Sequence, residues 1–189
     1  MDLVIFTHPD NKNSHNAAIL KHVKGRLAQR SGQYEFIDLY ADGFDPVLRL
    51  SNESGAKIAL VRKYQELVAK ADRFIFIYPV WWYNTPAMLK GFIEHVFNSG
   101  FAYEFKAAPD SGTVIQRKLF GKTAVIINTY GRSEAEAKAR GNPLPLVLDR
   151  SVLEFCGVRI KARVEWFDVK GPALIPRDVM NRIDEAILG

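Results

Sequence analysis

The chain lacks several residue patterns that would each have pointed to a function. It has one cysteine in 189 residues, Cys156, so no internal disulfide can form and a disulfide-braced secreted fold is excluded. Cys156 sits in an apolar helical pattern with no base beside it, which argues against a nucleophile. No apolar run approaches the ~20 residues needed to span a bilayer. The start, Met1-Asp2-Leu3-Val4-Ile5-Phe6, has neither the basic beginning nor the cleavage site of a leader and reads as a strand, so a cytoplasmic protein is expected. No carboxylate or cysteine cluster accompanies His8, His15 and His22, and no metal site is expected; His22 and His95 read as satisfied or solvated side chains. No Ser-His-Asp arrangement stands out. The Gly-x-Gly-x-x-Gly fingerprint is missing after the first strand. Gly121-Lys122-Thr123 fails as a phosphate loop, because Gln116 replaces its first glycine and a strand follows. Charge is not concentrated either. The net charge is +5, but Lys and Arg are scattered, so nucleic acid is not an expected partner. A basic surface equally suits a small anionic ligand.

What is present is an alternation of strands and helices. Nearly half the residues are apolar, enough for a substantial core. Strands are expected at Asp2–Phe6, Tyr34–Leu39, Phe74–Tyr78, Thr123–Asn128 and Arg159–Asp168, the last with Ile160, Ala162, Val164 and Trp166 on one face. The first helix repeats Leu20, Val23 and Leu27 and stops at Ser31-Gly32. Ile58–Ala71 turns Leu60, Tyr64, Leu67, Val68 and Ala71 inward, and a helix opening near Pro86 does the same with Leu89, Phe92, Ile93, Val96 and Phe97. Leu146–Phe155 is helical up to Gly157, and Arg177–Leu188 buries Val179, Ile183 and Ile187. Tyr40–Glu53 reads as a polar connection and Ser133–Pro145 as a charged loop with at most a helical turn. Asn98–Gly121, broken by Gly100, Pro109 and Gly112, reads as a long surface excursion. The length fits one domain over residues 1–189. The fold class is α/β, a doubly wound five-stranded parallel sheet in the flavodoxin-like order 2-1-3-4-5 with helices on both faces.

In such a sheet, ligands bind beyond the carboxyl ends of the strands. The first strand leads into Asn13-Ser14-His15-Asn16, which offers hydroxyl and amide donors and free N–H groups at a helix start. A phosphate would be favoured there by about 0.3–2 kcal/mol from the helix dipole, and plain helix capping explains the same residues. After the third strand, Pro79 ends the ladder and Trp81-Trp82-Tyr83 follow. These aromatics read as a flat wall for a conjugated ring or as packing. Thr129-Tyr130-Gly131 stands at the equivalent place after the fourth strand, where Gly131 serves a close backbone approach or simply a turn. With neither nucleophile nor metal in view, an organic cofactor is the economical source of chemistry.

Four blocks together resemble the flavodoxin-like NAD(P)H:quinone oxidoreductase family, which includes DT-diaphorase and shorter bacterial members. They are His8…Ser14-His15-Asn16, Asp38-Leu39-Tyr40…Phe44-Asp45-Pro46, the run from Pro79 through Thr85-Pro86 to Lys90-Gly91-Phe92, and Phe101-Ala102-Tyr103; Phe155-Cys156-Gly157 is a weaker fifth. The resemblance implies a flavin, FMN with FAD as the alternative, whose phosphate side meets His8, Asn13, Ser14, His15 and Asn16. Its ring would meet Pro79, Val80, Trp81, Trp82 and Tyr83, together with Thr129, Tyr130 and Gly131. The resemblance also implies ping-pong hydride transfer from NAD(P)H to a quinone-type acceptor, with Trp82, Tyr83 and Tyr130 as the catalytic wall, and a homodimer. Some members of this size instead serve potassium-efflux transporters as cytosolic regulatory partners. The chain departs from the family where His15 replaces an aromatic, and where Thr129-Tyr130-Gly131-Arg132 lacks the Tyr/His pair proposed to steady the reduced flavin in long members. Arg132 is the candidate substitute. The chain also ends without the long members' carboxyl-terminal domain, which favours FMN.

Overall fold

In the computed structural model, which describes residues 1–30, 32–49, 54–108, 112–143 and 145–189, the chain order is β1 (Asp2–Phe6), α1 (His15–Ala28), β2 (Tyr34–Asp38), α2 (Gly55–Lys70), β3 (Arg73–Pro79) and α3 (Ala87–Val96). There follow β4 (Tyr103–Ala107), β5 (Thr113–Arg117), β6 (Thr123–Thr129), α4 (Glu134–Ala139), a π-helical segment Pro145–Glu154, β7 (Arg159–Trp166) and α5 (Arg177–Leu188). The main sheet has the order β2-β1-β3-β6-β7, every pair parallel. This is the expected flavodoxin-like order. The expected helix stop at Ser31 and the break at Pro109 lie outside the described residues.

The sheet is covered on both faces, which is why its strands read as unbroken apolar runs. Alternate residues feed two cores. Leu3, Ile5, Phe74, Phe76, Tyr78, Ala124 and Ile126 point to the side of α2, α3 and the π-helical segment. Val4, Phe6, Ile75, Ile77, Val125 and Ile127 point to the side of α1 and α5. The expected single face of β7 is corrected by a bulge. Ala124 pairs with Ile160, but Val125 pairs with Ala162, so Lys161 is the extra residue. One inserted residue reverses the alternation, so Ile160 packs with the first core while Ala162, Val164 and Trp166 join the second.

A second correction concerns Asn98–Gly121. It contains the antiparallel hairpin β4–β5, with Phe105 paired to Ile115. Phe105, Val114 and Ile115 are exposed, so no buried stripe marked these strands in the sequence. Leu146–Phe155 is helical as expected but in the wider π form, and Gly157 beyond it adopts φ +96°. The charged stretch after Ser133 holds a complete capping box between Ser133 and Glu136.

Gly91 explains why Asp45-Pro46 and Lys90-Gly91-Phe92 occur together. A Cβ at Gly91 would stand 2.4 Å from the Pro46 carbonyl oxygen and 2.5 Å from its Cα. The Tyr40–Val47 connection thus lies directly on α3. Around it, Phe44 packs edge-on to His95, with ring centroids 5.4 Å apart, and His95 Nδ1 is 2.7 Å from the Gly91 carbonyl oxygen. Gly91→Ala gains about 1 kcal/mol of helix propensity but forces backbone apart, an overpacking cost of about 1–3 kcal/mol or more. The expected outcome is net destabilisation, read as a lower urea midpoint; an unchanged or higher midpoint would show that the contact yields freely.

Candidate functional site

The carboxyl ends of β1, β3, β6 and β7 open onto one cavity of about 950 Å³, within the ~300–1,000 Å³ typical of small-molecule sites. It is lined by His8, Ser14, His15 and Asn16 after β1, by Pro79 through Tyr83 at β3, and by Thr129 through Arg132 at β6. Arg140 and Val169 complete it. Of the residues expected at the site, Asn13 alone stays outside this lining; it is exposed, and its N–H donates to Asp10 Oδ1 at 2.8 Å.

The β1 loop is tied back on itself. Asp10 accepts from Asn13 and Lys12, which holds its carboxyl below the usual range. His8 Nδ1 accepts the Asp10 N–H at 3.0 Å, and burial lowers its pKa. Ser14 is the N-cap of α1, accepting from Ala17 N at 3.1 Å and donating to the Asp10 carbonyl at 2.5 Å. Capping therefore occupies its hydroxyl in this arrangement. The N–H groups of His15 and Asn16 open the helix and have no intrahelical acceptor, so they supply the anion-binding donors here. Asn16 is buried and donates to Thr129 Oγ1 at 2.7 Å, joining the β1 loop to the end of β6.

The β3 loop is a tight turn. Trp81 N donates to the Asn84 carbonyl (3.1 Å) and Asn84 N to the Trp81 carbonyl (2.9 Å), with Trp82 and Tyr83 at φ +53° and +56°. Two left-handed central residues define a type I′ turn, a place ordinarily held by Asn and Gly. Trp82 is 98% exposed, Trp81 leans on His8 with centroids 5.8 Å apart, and Tyr83 lies half-buried. The loop therefore presents aromatic surface at the expense of backbone strain.

Tyr130 behaves differently. Its ring stacks on Phe167, centroids 4.5 Å apart, and its hydroxyl donates to Glu165 Oε1 at 2.7 Å. Burial and that carboxylate raise its pKa far above the ordinary 10.0. Its phenol is thus committed to the protein rather than offered to the cavity. Its N–H donates to the Trp166 carbonyl, and its own carbonyl accepts from Val169 N, which fastens the β6 loop to the exit of β7. Arg132 reaches the cavity while paired with Glu136 at 3.3 Å. Cys156 is buried at a distance in the chain from these loops, and burial pushes its thiol up to about 11.

Two lining residues escaped the sequence reading. Val169 follows the end of a strand, so the rule of strand ends could have found it. Arg140 had no local signal. It lies at the end of the charged stretch and comes over the Tyr83 ring, guanidinium 5.7 Å from the centroid, only through folding. Among the described residues no group of three or more His, Cys, Asp or Glu is placed to hold a metal, and no helix is long and apolar enough to cross a membrane.

Residues 3–186 match the model of a family described as having a flavodoxin-like fold. NAD(P)H dehydrogenase (quinone) 1 of Cavia porcellus is 30% identical over 184 residues, 84% of this chain, and the chain spans 65% of that relative's length. The crystal structure of Smu.1420 from Streptococcus mutans is similar with a TM-score of 0.76 and 34% identity, over 100% of this chain and 97% of that one. General stress protein 14 of Treponema denticola, solved in complex with FMN, shares the fold at a TM-score of 0.65 and 19% identity, over 99% of this chain and 95% of that one.

Proposed function

Because the chain belongs to this flavodoxin-like fold family, we propose that it is a flavin-dependent NAD(P)H:quinone oxidoreductase that uses FMN. One observation carries the reading. A single cavity joins helix-start donors after β1 to an aromatic turn after β3, in a chain similar over most of its length to a quinone-directed NAD(P)H dehydrogenase. The donor set fits a flavin. The His15 and Asn16 N–H groups suit a phosphate, Pro79 to Tyr83 give flat apolar wall, and Gly131, with no side chain, lets a polar ring edge approach the exit of β6. When bound, the flavin would supply hydride chemistry, taking electrons from NAD(P)H and passing them to a quinone. The chain's own work is to seat the phosphate, hold the ring against the β3 turn and limit water there. FAD is the alternative cofactor, distinguished by which form purifies with the protein.

The wall carries area and few directional polar groups. Apolar walls discriminate weakly, about 1–3 kcal/mol per methylene, so several flat acceptors should react. Donor and acceptor share one face and must alternate, so double-reciprocal plots should be parallel. The decisive experiment is an FMN titration followed by rapid mixing with NADH or NADPH. Stoichiometric uptake and bleaching of the flavin support the reading. Uptake without bleaching by either donor would overturn the enzymatic reading in favour of a regulatory flavoprotein, such as a transporter's cytosolic partner. A homodimer belongs to the same proposal. The exposed Phe105, Val114 and Ile115 of the hairpin suit a second copy, and sedimentation of a fully active monomer would exclude it.

A further inference from the structure

We infer that Arg140 is the residue that recognises the phosphate groups of the dinucleotide donor; the inference rests on the proposed oxidoreductase reading and assigns a role within the same cavity. The cations on this flank are otherwise matched. Arg132 pairs with Glu136, Lys138 with Glu134 at 2.6 Å, and Lys170 with Asp168 at 2.7 Å. Arg140 lines the cavity and, among the described residues, forms no ion pair with a carboxylate. Its guanidinium is instead held over the face of Tyr83. A planar cation resting on an aromatic ring keeps its fork of N–H groups for a ligand, and phosphate oxygens match that fork.

Position separates this role from the cofactor's own phosphate. The helix-start donors follow β1, whereas Arg140 follows β6, two strands away in the order β1-β3-β6. The Arg140 guanidinium itself rests on Tyr83 of the β3 turn, so the two anion-binding points belong to different loops of the cavity rim. A neutral quinone has no charge for Arg140 to meet. A resident cofactor would already be held at the β1 end. The ligand that brings phosphate to the aromatic end, and leaves in each cycle, is the reduced nicotinamide dinucleotide. Arg140 also stands at the C-cap of α4, where any cation is favoured by the helix dipole. The test must therefore read phosphate recognition and not stability.

The flavin-loaded protein and its Arg140→Ala and Arg140→Lys variants are compared with NADPH, NADH and uncharged 1-benzyl-1,4-dihydronicotinamide as reductants. NADP⁺ binding is measured separately by calorimetry. A charge-assisted contact corresponds to about tenfold in affinity. Arg140→Ala should therefore lower kcat/KM for NADPH relative to the uncharged donor by about tenfold and weaken NADP⁺ binding to match, and Arg140→Lys should recover part of both. Losses equal for NADH and NADPH would assign the pyrophosphate, and a larger loss for NADPH the additional phosphate; each supports the inference. A relative donor preference unchanged in Arg140→Ala overturns it while leaving the oxidoreductase reading intact. Failure of all three reductants to bleach the flavin of the unsubstituted protein overturns both.

Discussion

Asp149→Ala is expected to lower the free energy of unfolding by about 3 kcal/mol, at the lower end of the ~3–5 kcal/mol lost when a buried ion pair is broken from one side. Asp149, on the π-helical segment, receives Arg163 of β7 in a two-point contact, Nε to Oδ2 at 3.3 Å and Nη2 to Oδ1. The same guanidinium donates to Asn128 Oδ1 on β6 and lies beside the buried Tyr78 phenol on β3, whose pKa burial pushes up to about 12. Removing Asp149 leaves a cation among these groups with, among the described residues, only Glu165, at 4.0 Å, to balance it. That residual partner is why the lower figure is expected. A buried ion pair is by itself a weak net stabiliser, because desolvation of both groups offsets most of their attraction, even though Asp149 favours the charged form of Arg163. Burial raises the Asp149 carboxyl above its ordinary 3.8 despite the arginine. The folded state therefore holds this proton more tightly than the unfolded chain. The group's contribution is present in full below 3.8 and falls as pH rises through the raised value. Replacing both partners, Asp149→Leu with Arg163→Met, should accordingly cost much less than either single change. Urea unfolding of the cycle decides the matter; a loss under about 1 kcal/mol for Asp149→Ala would mean that Glu165 carries most of the balance of charge.

The second large effect concerns the aromatic turn, where stability and activity should move in opposite directions. Trp82 and Tyr83 both adopt left-handed backbone, which costs side-chain-bearing residues roughly 1–3 kcal/mol each. Trp82→Asn with Tyr83→Gly gives the turn the residues its geometry prefers. Trp82 is almost wholly exposed, so little packing is lost with it. The expected result is a gain of about 1–2 kcal/mol in stability, once the half-buried Tyr83 packing is subtracted. Turnover of NAD(P)H with a quinone should fall by about a hundredfold, because the wall that positions the flat partners is gone. A less stable variant would show that the turn is not strained. A more stable variant with undiminished turnover would show that the aromatics are not part of the site.

The sequence alone was enough for the sheet order and the strand-end loops, because both follow from local signals. Continuous apolar runs demand a sheet covered on both faces, strand–helix alternation demands parallel crossovers, and Pro79, Ser14 and Gly157 mark element ends through their own backbone chemistry. The β4–β5 hairpin was not legible. Its apolar residues are exposed, and an antiparallel pair held largely by backbone hydrogen bonds leaves no burial pattern. The bulge at Lys161 was hidden for a related reason. Ile160-Lys161-Ala162-Arg163-Val164 alternates well on paper, and only pairing with Ala124 and Val125 shows where one residue is left over. At the site, residue types indicated which loops line the cavity, but the direction of each side chain depended on partners far away in the chain. Tyr130 turns to Glu165, 35 residues on, and Asn16 turns to Thr129, 113 residues on. Arg140 meets Tyr83 because β3 and β6 are neighbours in space. Local propensity is set within a few residues, whereas hydrogen bonds, ion pairs and ring contacts between loops are set by the sheet that brings those loops to one edge.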